Sequence, residues 1–343
     1  MSRTRQGRPL RMPPGRRRAI RRAPEPPRRA ESVAMPELAF DFLRQMRRAI
    51  DAGLEPLGAL ERAAGALPRR LQDSVERIGQ RVRGEYAEDE WGFDEELAEA
   101  IYPFLELLYE RWWRIESTGL ANVPSHGRAL VVANHSGSLF PFDATMMVTA
   151  LMKEHPLPRW PRPLVLDWAF ELPFLSYLMR KGGGVPASPH NATRLLEQDN
   201  LVMAFPEGVK GTGKPFSERY RLQRFGRGGF IEVALRTGSP IVPVAVVGAE
   251  EIYPMLGDSR ALARIAGAPF APVTPTFPLL GPLGLVPLPS RWRIEFCEPV
   301  DLSEYPPEAA EDRRLVFELA EQIRATIQAK VYDNLVKRGS AFL

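Results

Sequence analysis

Two hydrophobic patterns divide the chain near residue 119. Before this point, apolar residues such as Leu38, Phe42, Met46 and Ile50 recur at the spacing of an amphipathic helix. After it, short apolar runs of strand length alternate with helical patterns. This alternation predicts an α/β fold with a mainly parallel sheet covered by helices, preceded by an N-terminal helical extension.

The second part of the chain contains clear strand and helix signals. Strands are predicted for ALVVA, PLVLDW, LVMAF and PIVPVAVVG, and helices for DATMMVTALMKE, FLSYLMRK, GGFIEVALRT and residues 311–336. A further helix is predicted to begin at Ser188, an N-cap residue followed by Pro189. Asp94 has the same capping character, and Gly238 is typical of a helix end. The order of elements again favours parallel strands joined by helices.

The charge is concentrated at the N-terminus. Residues 1–30 carry eleven arginines and one acidic residue, although the 343-residue chain has a net charge of only +4. We therefore expect residues 1–35 to form a disordered basic tail, residues 36–92 a helical extension and linker, and residues 93–338 the α/β domain. The tail is either a solvated arm or an arm attracted to anionic lipid or nucleic acid, and a transit peptide has a similar composition.

Residues 265–290 form an uncharged stretch long enough to span a bilayer. The stretch contains seven prolines, which rules out a straight transmembrane helix. It is either a loop packed on the body of the protein or an apolar loop that enters one face of a membrane. Cys297 is the single cysteine, which excludes an intrachain disulfide and favours a reducing compartment. The sequence therefore predicts a cytoplasmic protein attached peripherally to a membrane.

Two predicted strands end in chemically unusual loops. The first, NHSGSLFPFD, follows ALVVA and contains His135 and Asp143. These residues are either ordinary polar loop residues, with Asp143 as a helix cap, or a catalytic base and the partner that orients it. The second, FPEGVKGTGKPFSERYRLQRFGRGG, approaches the phosphate-loop pattern, but Pro215 stands where a magnesium-binding Ser or Thr is required. The chain has no GxSxG nucleophile elbow and no HExxH spacing, so no metal site is expected.

A histidine with a nearby acid and no activated serine or cysteine suits direct group transfer. The base removes the proton of an incoming hydroxyl, which attacks a carbonyl that carries a good leaving group, such as a thioester. A neutral His135 would take the proton on one ring nitrogen while Asp143 held the other. Such a base contributes about 10²–10⁴-fold in rate.

The motifs NHSGSLFPFD, FPEG with its trailing basic residues and RGGFIEVALRTGSPIVPVAVVG, in this order and separation, resemble the glycerolipid (PlsC-like) acyltransferase superfamily. The resemblance implies that His135 is the general base and Asp143 its partner, and that Glu207 and Gly208 belong to the acceptor-binding block. It assigns residues 241–244 to the acyl pocket. It implies an acyl-CoA or acyl carrier protein co-substrate, a glycerolipid acceptor, a membrane surface as partner, and neither a cofactor nor nucleic acid.

This sequence departs from the pattern of the superfamily in two ways. Seven residues separate His135 from Asp143, where four are usual, so the insertion must bulge. The FPEGTR of lysophosphatidate acyltransferases reads FPEGVK here, and Ser188 falls about where an arginine of the preceding block is usual. Three basic residues of the loop remain as candidates for holding an acceptor phosphate: Lys210, Lys214 and Arg219. The acceptor is therefore a lysophospholipid or neutral diacylglycerol, and the alternative function is a catalytically silent lipid-binding or scaffolding protein.

Overall fold

The structure is a computed structural model that describes residues 35–83, 88–136, 140–171, 175–266 and 269–342. The predicted basic tail lies outside the described residues, apart from Met35, at which the first helix begins. Within the described residues, no helix is both long and apolar enough to cross a membrane.

The predicted helices are present and differ from the prediction mainly at their ends, whereas two short helices at 209–212 and 260–266 were not predicted. The α-helices are α1 (Met35–Asp51), α2 (Pro56–Ala63), α3 (Arg69–Arg83), α4 (Glu95–Leu107), α5 (Phe142–Glu154), α6 (Leu175–Lys181), α7 (Pro189–Glu197), α8 (Val209–Thr212), α9 (Gly229–Thr237), α10 (Arg260–Ala266) and α11 (Arg313–Arg338). The N-terminal extension is thus three helices. Asp94 caps α4 by accepting from Leu97 N at 3.0 Å, and Ser188 caps α7 by accepting from Asn191 N at 3.1 Å.

Seven of the strands form one sheet. The strands are β1 (Glu116–Thr118), β2 (Ala129–Ala133), β3 (Arg162–Val165), β4 (Val185–Pro186), β5 (Leu201–Ala204), β6 (Ile241–Val247), β7 (Gly257–Asp258), β8 (Pro272–Val273) and β9 (Arg293–Phe296). The sheet order is β1-β9-β6-β2-β5-β3-β4, and β7 pairs with β8 separately. All pairs in the large sheet are parallel except β6 with β9, which confirms the predicted mainly parallel sheet.

Side chains of the central strands alternate between two apolar layers. Val131 of β2 packs in the layer with Trp113, Met147 and Trp292, whereas Leu130 and Val132 pack in the layer with α7, α9 and α11. Burial on both faces explains why these strands read as continuous apolar runs. In this sheet the central strand β2 lies between β5 and β6.

The prediction for PLVLDW was wrong in its second half. The strand β3 ends at Val165, and residues 167–170 form a 3₁₀ turn that leads towards α6. The apolar side chains of Leu166 and Trp168 line an apolar cavity beside the sheet. The uncharged stretch 265–290 forms no long helix in its described part: it contains β8 and a 3₁₀ turn at Gly281–Leu285.

Candidate active site

The carboxyl ends of β2, β5 and β6 meet where His135 lies. Asn134 extends the pairing of β2 with β6, because its side-chain amide donates to Val246 O at 2.9 Å and its side-chain oxygen accepts from Val246 N at 2.8 Å. On the other side, the backbone N–H of His135 donates to Glu207 Oε1 at 2.8 Å. The loop after β2 is therefore fixed to both neighbouring strand ends, which positions the histidine before any substrate binds.

His135 and Asp143 lie in contact despite the seven intervening residues. The distance from His135 Nδ1 to Asp143 Oδ2 is 2.6 Å, and Asp143 is completely buried in the first turn of α5. The same oxygen accepts from Ser136 N at 2.8 Å, and Oδ1 accepts from Ala144 N at 2.8 Å. Because the carboxylate is surrounded by donors, Nδ1 must carry a proton, and Nε2 is left as the basic nitrogen.

The imidazole forms part of the wall of an apolar cavity of about 260 Å³, which we call the His135 cavity. The ring stacks on Phe205, with 4.4 Å between the ring centroids. The wall includes residues from β3, α5, α6, α8 and α9 and from the segments that connect these elements, among them Leu164, Trp168, Met179, Gly208, Thr212 and Phe230. A base in contact with an apolar cavity is suited to a substrate whose reacting group is joined to a hydrocarbon chain.

A second cavity, of about 310 Å³, shares part of its wall with the His135 cavity. We call it the α4–α6 cavity, because Ala98, Ile101 and Leu105 of α4, Val148 of α5 and Leu178 of α6 line it. Six residues line both cavities: Pro141, Ala144, Pro163, Val165, Leu175 and Met179. The buried residues 241–244, which the resemblance assigned to the acyl pocket, lie in β6 and line neither cavity.

Glu207 is a buried link between two loops. Its Oε1 accepts from His135 N, its Oε2 accepts from Gln223 N at 2.5 Å, and only 4% of the residue is exposed. Burial raises the pKa of Glu207, against the opposite effect of nearby Lys214 and of the two backbone N–H groups. Both carboxylate oxygens are therefore engaged in holding protein backbone.

Gly211 of α8 lies where a side chain would not fit. A methyl group at this position would be 2.8 Å from the Cβ atoms of both Glu207 and His135. This close approach explains why a glycine is present here. The role of Gly211 was not predicted, because the sequence shows only a glycine-rich loop.

The three basic residues predicted to hold a phosphate lie in different environments. Lys214 is 8% exposed, lies 2.5 Å from Glu250 Oε1 and 4.0 Å from Glu207 Oε2, and donates to Arg221 O. Arg219 is exposed and stacks over Phe216 at 4.4 Å, and Lys210 is exposed. None of the three lines the His135 cavity; Lys214 and Arg219 line a separate pocket of about 20 Å³ beside Ser136.

Arg227 is the basic residue that does line the His135 cavity. It was not singled out in the sequence, although the RFGRGG segment contains it. Asn134 was also missed, and the one available signal was its position directly after a buried strand, beside the histidine. Cys297 is buried, which raises the pKa of its thiol to about 11, so it is no candidate nucleophile.

Comparison with known proteins agrees with this geometry. A family model described as Acyltransferase matches residues 114–247, which include His135, Asp143 and Glu207. An uncharacterized protein of Mycobacterium tuberculosis is 45% identical over 327 residues, which cover 92% of this chain and 91% of that protein.

Two more distant proteins are also similar. Phytyl ester synthase 2, chloroplastic, of Arabidopsis thaliana is 31% identical over 148 residues, 41% of this chain and 20% of that protein. The crystal structure of the 1-acyl-sn-glycerophosphate acyltransferase PlsC from Thermotoga maritima matches 90% of this chain and 100% of that chain, with a TM-score of 0.49 and 16% identity. The family match shows that this chain contains a domain of the Acyltransferase family over residues 114–247.

Proposed function

We propose that the protein transfers a fatty acyl group from an acyl thioester, either acyl-CoA or acyl carrier protein, to the hydroxyl of a glycerolipid. The observation that carries this proposal is the 2.6 Å contact between His135 Nδ1 and buried Asp143 at the wall of an apolar cavity. The arrangement provides a base with a fixed tautomer beside space for a hydrocarbon chain. It supports an active enzyme over a silent lipid-binding protein.

In the proposed mechanism, His135 Nε2 takes the proton of the acceptor hydroxyl. The oxygen attacks the thioester carbonyl, and the tetrahedral intermediate collapses with cleavage of the carbon–sulfur bond. The leaving thiolate takes the proton from the imidazolium, which returns His135 to its neutral form. Asp143 stabilises the imidazolium during this cycle and keeps Nδ1 protonated.

A neutral acceptor such as diacylglycerol fits the site better than a lysophospholipid. The charge of Lys214 is compensated by Glu250 and Glu207, so this lysine is not a free phosphate ligand. An exposed Lys210 or Arg219 outside the His135 cavity contributes little to holding an acceptor at His135. One similar protein, of Arabidopsis thaliana, is named as a synthase of phytyl esters.

The acyl chain of the donor is proposed to lie in the α4–α6 cavity. This cavity is almost entirely apolar and shares a wall with the His135 cavity, so a thioester carbonyl at His135 could extend its chain into it after a small displacement of that wall. Burial of each CH₂ group there contributes about 0.8 kcal/mol.

The function is tested with purified full-length protein, radiolabelled acyl-CoA or acyl carrier protein, and a panel of lysophospholipids, diacylglycerol and phytol. The expected result is an acylated lipid product, formed fastest from diacylglycerol and reduced about 10²–10⁴-fold in His135→Ala, which should remain folded. Product formation from lysophosphatidate alone would refute the neutral acceptor. Lipid binding without any product, or full activity in His135→Ala, would refute the mechanism.

We further propose that exposed leucines hold the enzyme at a membrane surface. Leu279 is 83% exposed, and Leu256, Leu280 and Leu283 are each more than half exposed. The segment with Leu279, Leu280 and Leu283 is held against the body of the protein by two hydrogen bonds. Tyr253 donates to Leu285 O, and Trp112 donates to Pro287 O. Leu279→Ser with Leu280→Ser should weaken sedimentation with neutral vesicles, and deletion of residues 1–30 should weaken it only with anionic vesicles. Unchanged sedimentation in both variants would exclude these segments.

A further inference from the structure

Arg227 has a position unlike that of the other basic residues near the site. Of the described residues that line the His135 cavity, it is the one with a permanent charge. It makes no ion pair with the described residues, and it is exposed. The cavity is thus apolar inside, with one uncompensated guanidinium at its edge.

The local backbone fixes this position. Gly226 and Gly228 on either side have φ values of 43° and 84°, a conformation that favours glycine. A side chain at residue 228 would also lie 2.6 Å from Val316 Cγ1 of α11. The turn is therefore built around two glycines and packed against the C-terminal helix, so Arg227 is presented to the cavity by a constrained backbone.

We propose that Arg227 binds a phosphate group of a substrate whose apolar part enters the His135 cavity. A guanidinium forms a planar set of donors that matches phosphate oxygens, and such charge-assisted bonds are the strong ones. Two substrates could bring this phosphate: the thioester donor through its phosphopantetheine or nucleotide part, and the acceptor through a lipid phosphate. The inference rests on the proposed function, and a neutral acceptor makes the donor the expected source.

The experiment uses two pairs of probes, and in each pair one member carries phosphate and the other carries none. Palmitoyl-CoA is compared with palmitoyl-pantetheine, and lysophosphatidate with monoacylglycerol, by calorimetric binding to the full-length protein without turnover. The variants are Arg227→Ala, Arg227→Lys to retain the charge, and Arg224→Ala as the matched control. Arg224 lies three residues away and contacts Phe317 instead of the cavity.

We expect Arg227→Ala to weaken palmitoyl-CoA binding about ten-fold at low salt and to leave palmitoyl-pantetheine unchanged, because one charge-assisted interaction is lost. Arg227→Lys should recover most of the affinity. The same selective loss for lysophosphatidate would support the site with the acceptor as its source.

Equal losses for both members of each pair, no loss for any probe, or an equal loss in Arg224→Ala would overturn the proposal. Because binding is measured without turnover, a protein that transfers no acyl group would refute the proposed function and still give a readable result for Arg227.

Discussion

Replacing Asp143 by asparagine changes one atom of a buried group with three hydrogen-bond donors around it. Oδ2 accepts from His135 Nδ1 and Ser136 N, and Oδ1 accepts from Ala144 N. An asparagine amide has a single acceptor oxygen, which will stay with His135 and Ser136 because that orientation keeps two bonds. The new NH₂ group then faces the N–H of Ala144. One buried donor pair is left unsatisfied, which should cost about 1–3 kcal/mol in the free energy of unfolding.

The effect on catalysis should be larger, because the imidazolium formed during proton transfer loses its negative partner. With His135 Nδ1 2.6 Å from Asp143 Oδ2, the two charges are centred about 4 Å apart, which at an effective dielectric constant near 20 is worth about 4 kcal/mol. If this stabilisation is present in the transition state, its loss lowers kcat about 10³-fold. The Michaelis constants should change little, since Asp143 is fully buried and does not contact substrate.

The assay measures kcat from thiol release with the acceptor that the panel identifies, and stability by thermal and urea unfolding. Asp312→Ala is the control, because Asp312 caps α11 by accepting from Arg314 N and Leu315 N far from the site in sequence, and its loss should cost about 1 kcal/mol. The control should keep its kcat at a temperature where it is folded. A kcat within ten-fold of wild type in Asp143→Asn would refute the orienting role, and an equal loss in Asp312→Ala would assign the effect to stability.

Three other substitutions test separate parts of the structure. Gly211→Ala introduces a methyl group 2.8 Å from the Cβ atoms of His135 and Glu207, so it should cost about 1–3 kcal/mol and lower kcat, whereas Gly65→Ala, whose added methyl meets nothing within 4 Å, should do neither. Ala98→Leu fills part of the α4–α6 cavity and should lower kcat/KM about ten-fold for long acyl chains relative to short ones; an equal effect on all lengths would exclude this cavity as the acyl site. Cys297→Ala tests the thiol whose pKa burial raises to about 11. The unfolded thiol ionises first, so the free energy of unfolding of the wild type should fall relative to the variant by about 2 kcal/mol as pH rises from 9 to 11, and parallel curves would contradict this.

The sequence was most informative where local chemistry decides the structure. Three helix ends were predicted correctly because local residues determine them. The side chains of Ser188 and Asp94 cap the starts of α7 and α4, with Pro189 next to Ser188, and the backbone of Gly238 ends α9. The rule that parallel strands present their carboxyl ends at one edge also placed the loops after β2 and β5 together. It could not show which side chains in those loops would be exposed.

Lys214 illustrates what the sequence could not give. In the linear chain it is one of several bases in a glycine-rich loop, and its partner Glu250 lies 36 residues further on, after β6. The two residues meet because β5 and β6, the strands that precede them, are separated in the sheet only by β2. This proximity depends on the order of strands in the sheet and cannot be read from the spacing in the sequence. The short contact of His135 with Asp143 is a similar case, since the path of an inserted loop depends on what it packs against.

The distribution of charge around His135 bears on the order of groups in the proposed complex. The buried Lys214 is compensated by two carboxylates, Glu207 and Glu250, whereas Arg227, at the edge of the His135 cavity, has no such partner among the described residues. Desolvating a free charge is costly, so the interior of the His135 cavity should accept only uncharged groups. A phosphate should instead bind at the edge of the cavity, where water still reaches it. On this argument the thioester carbonyl and a neutral acceptor hydroxyl meet at His135, the acyl chain lies in the α4–α6 cavity, and the donor leaves its phosphates at Arg227. A lysophospholipid would have to bring its phosphate within a few bonds of the reacting hydroxyl, and this is the reason that we expect diacylglycerol to be the better acceptor.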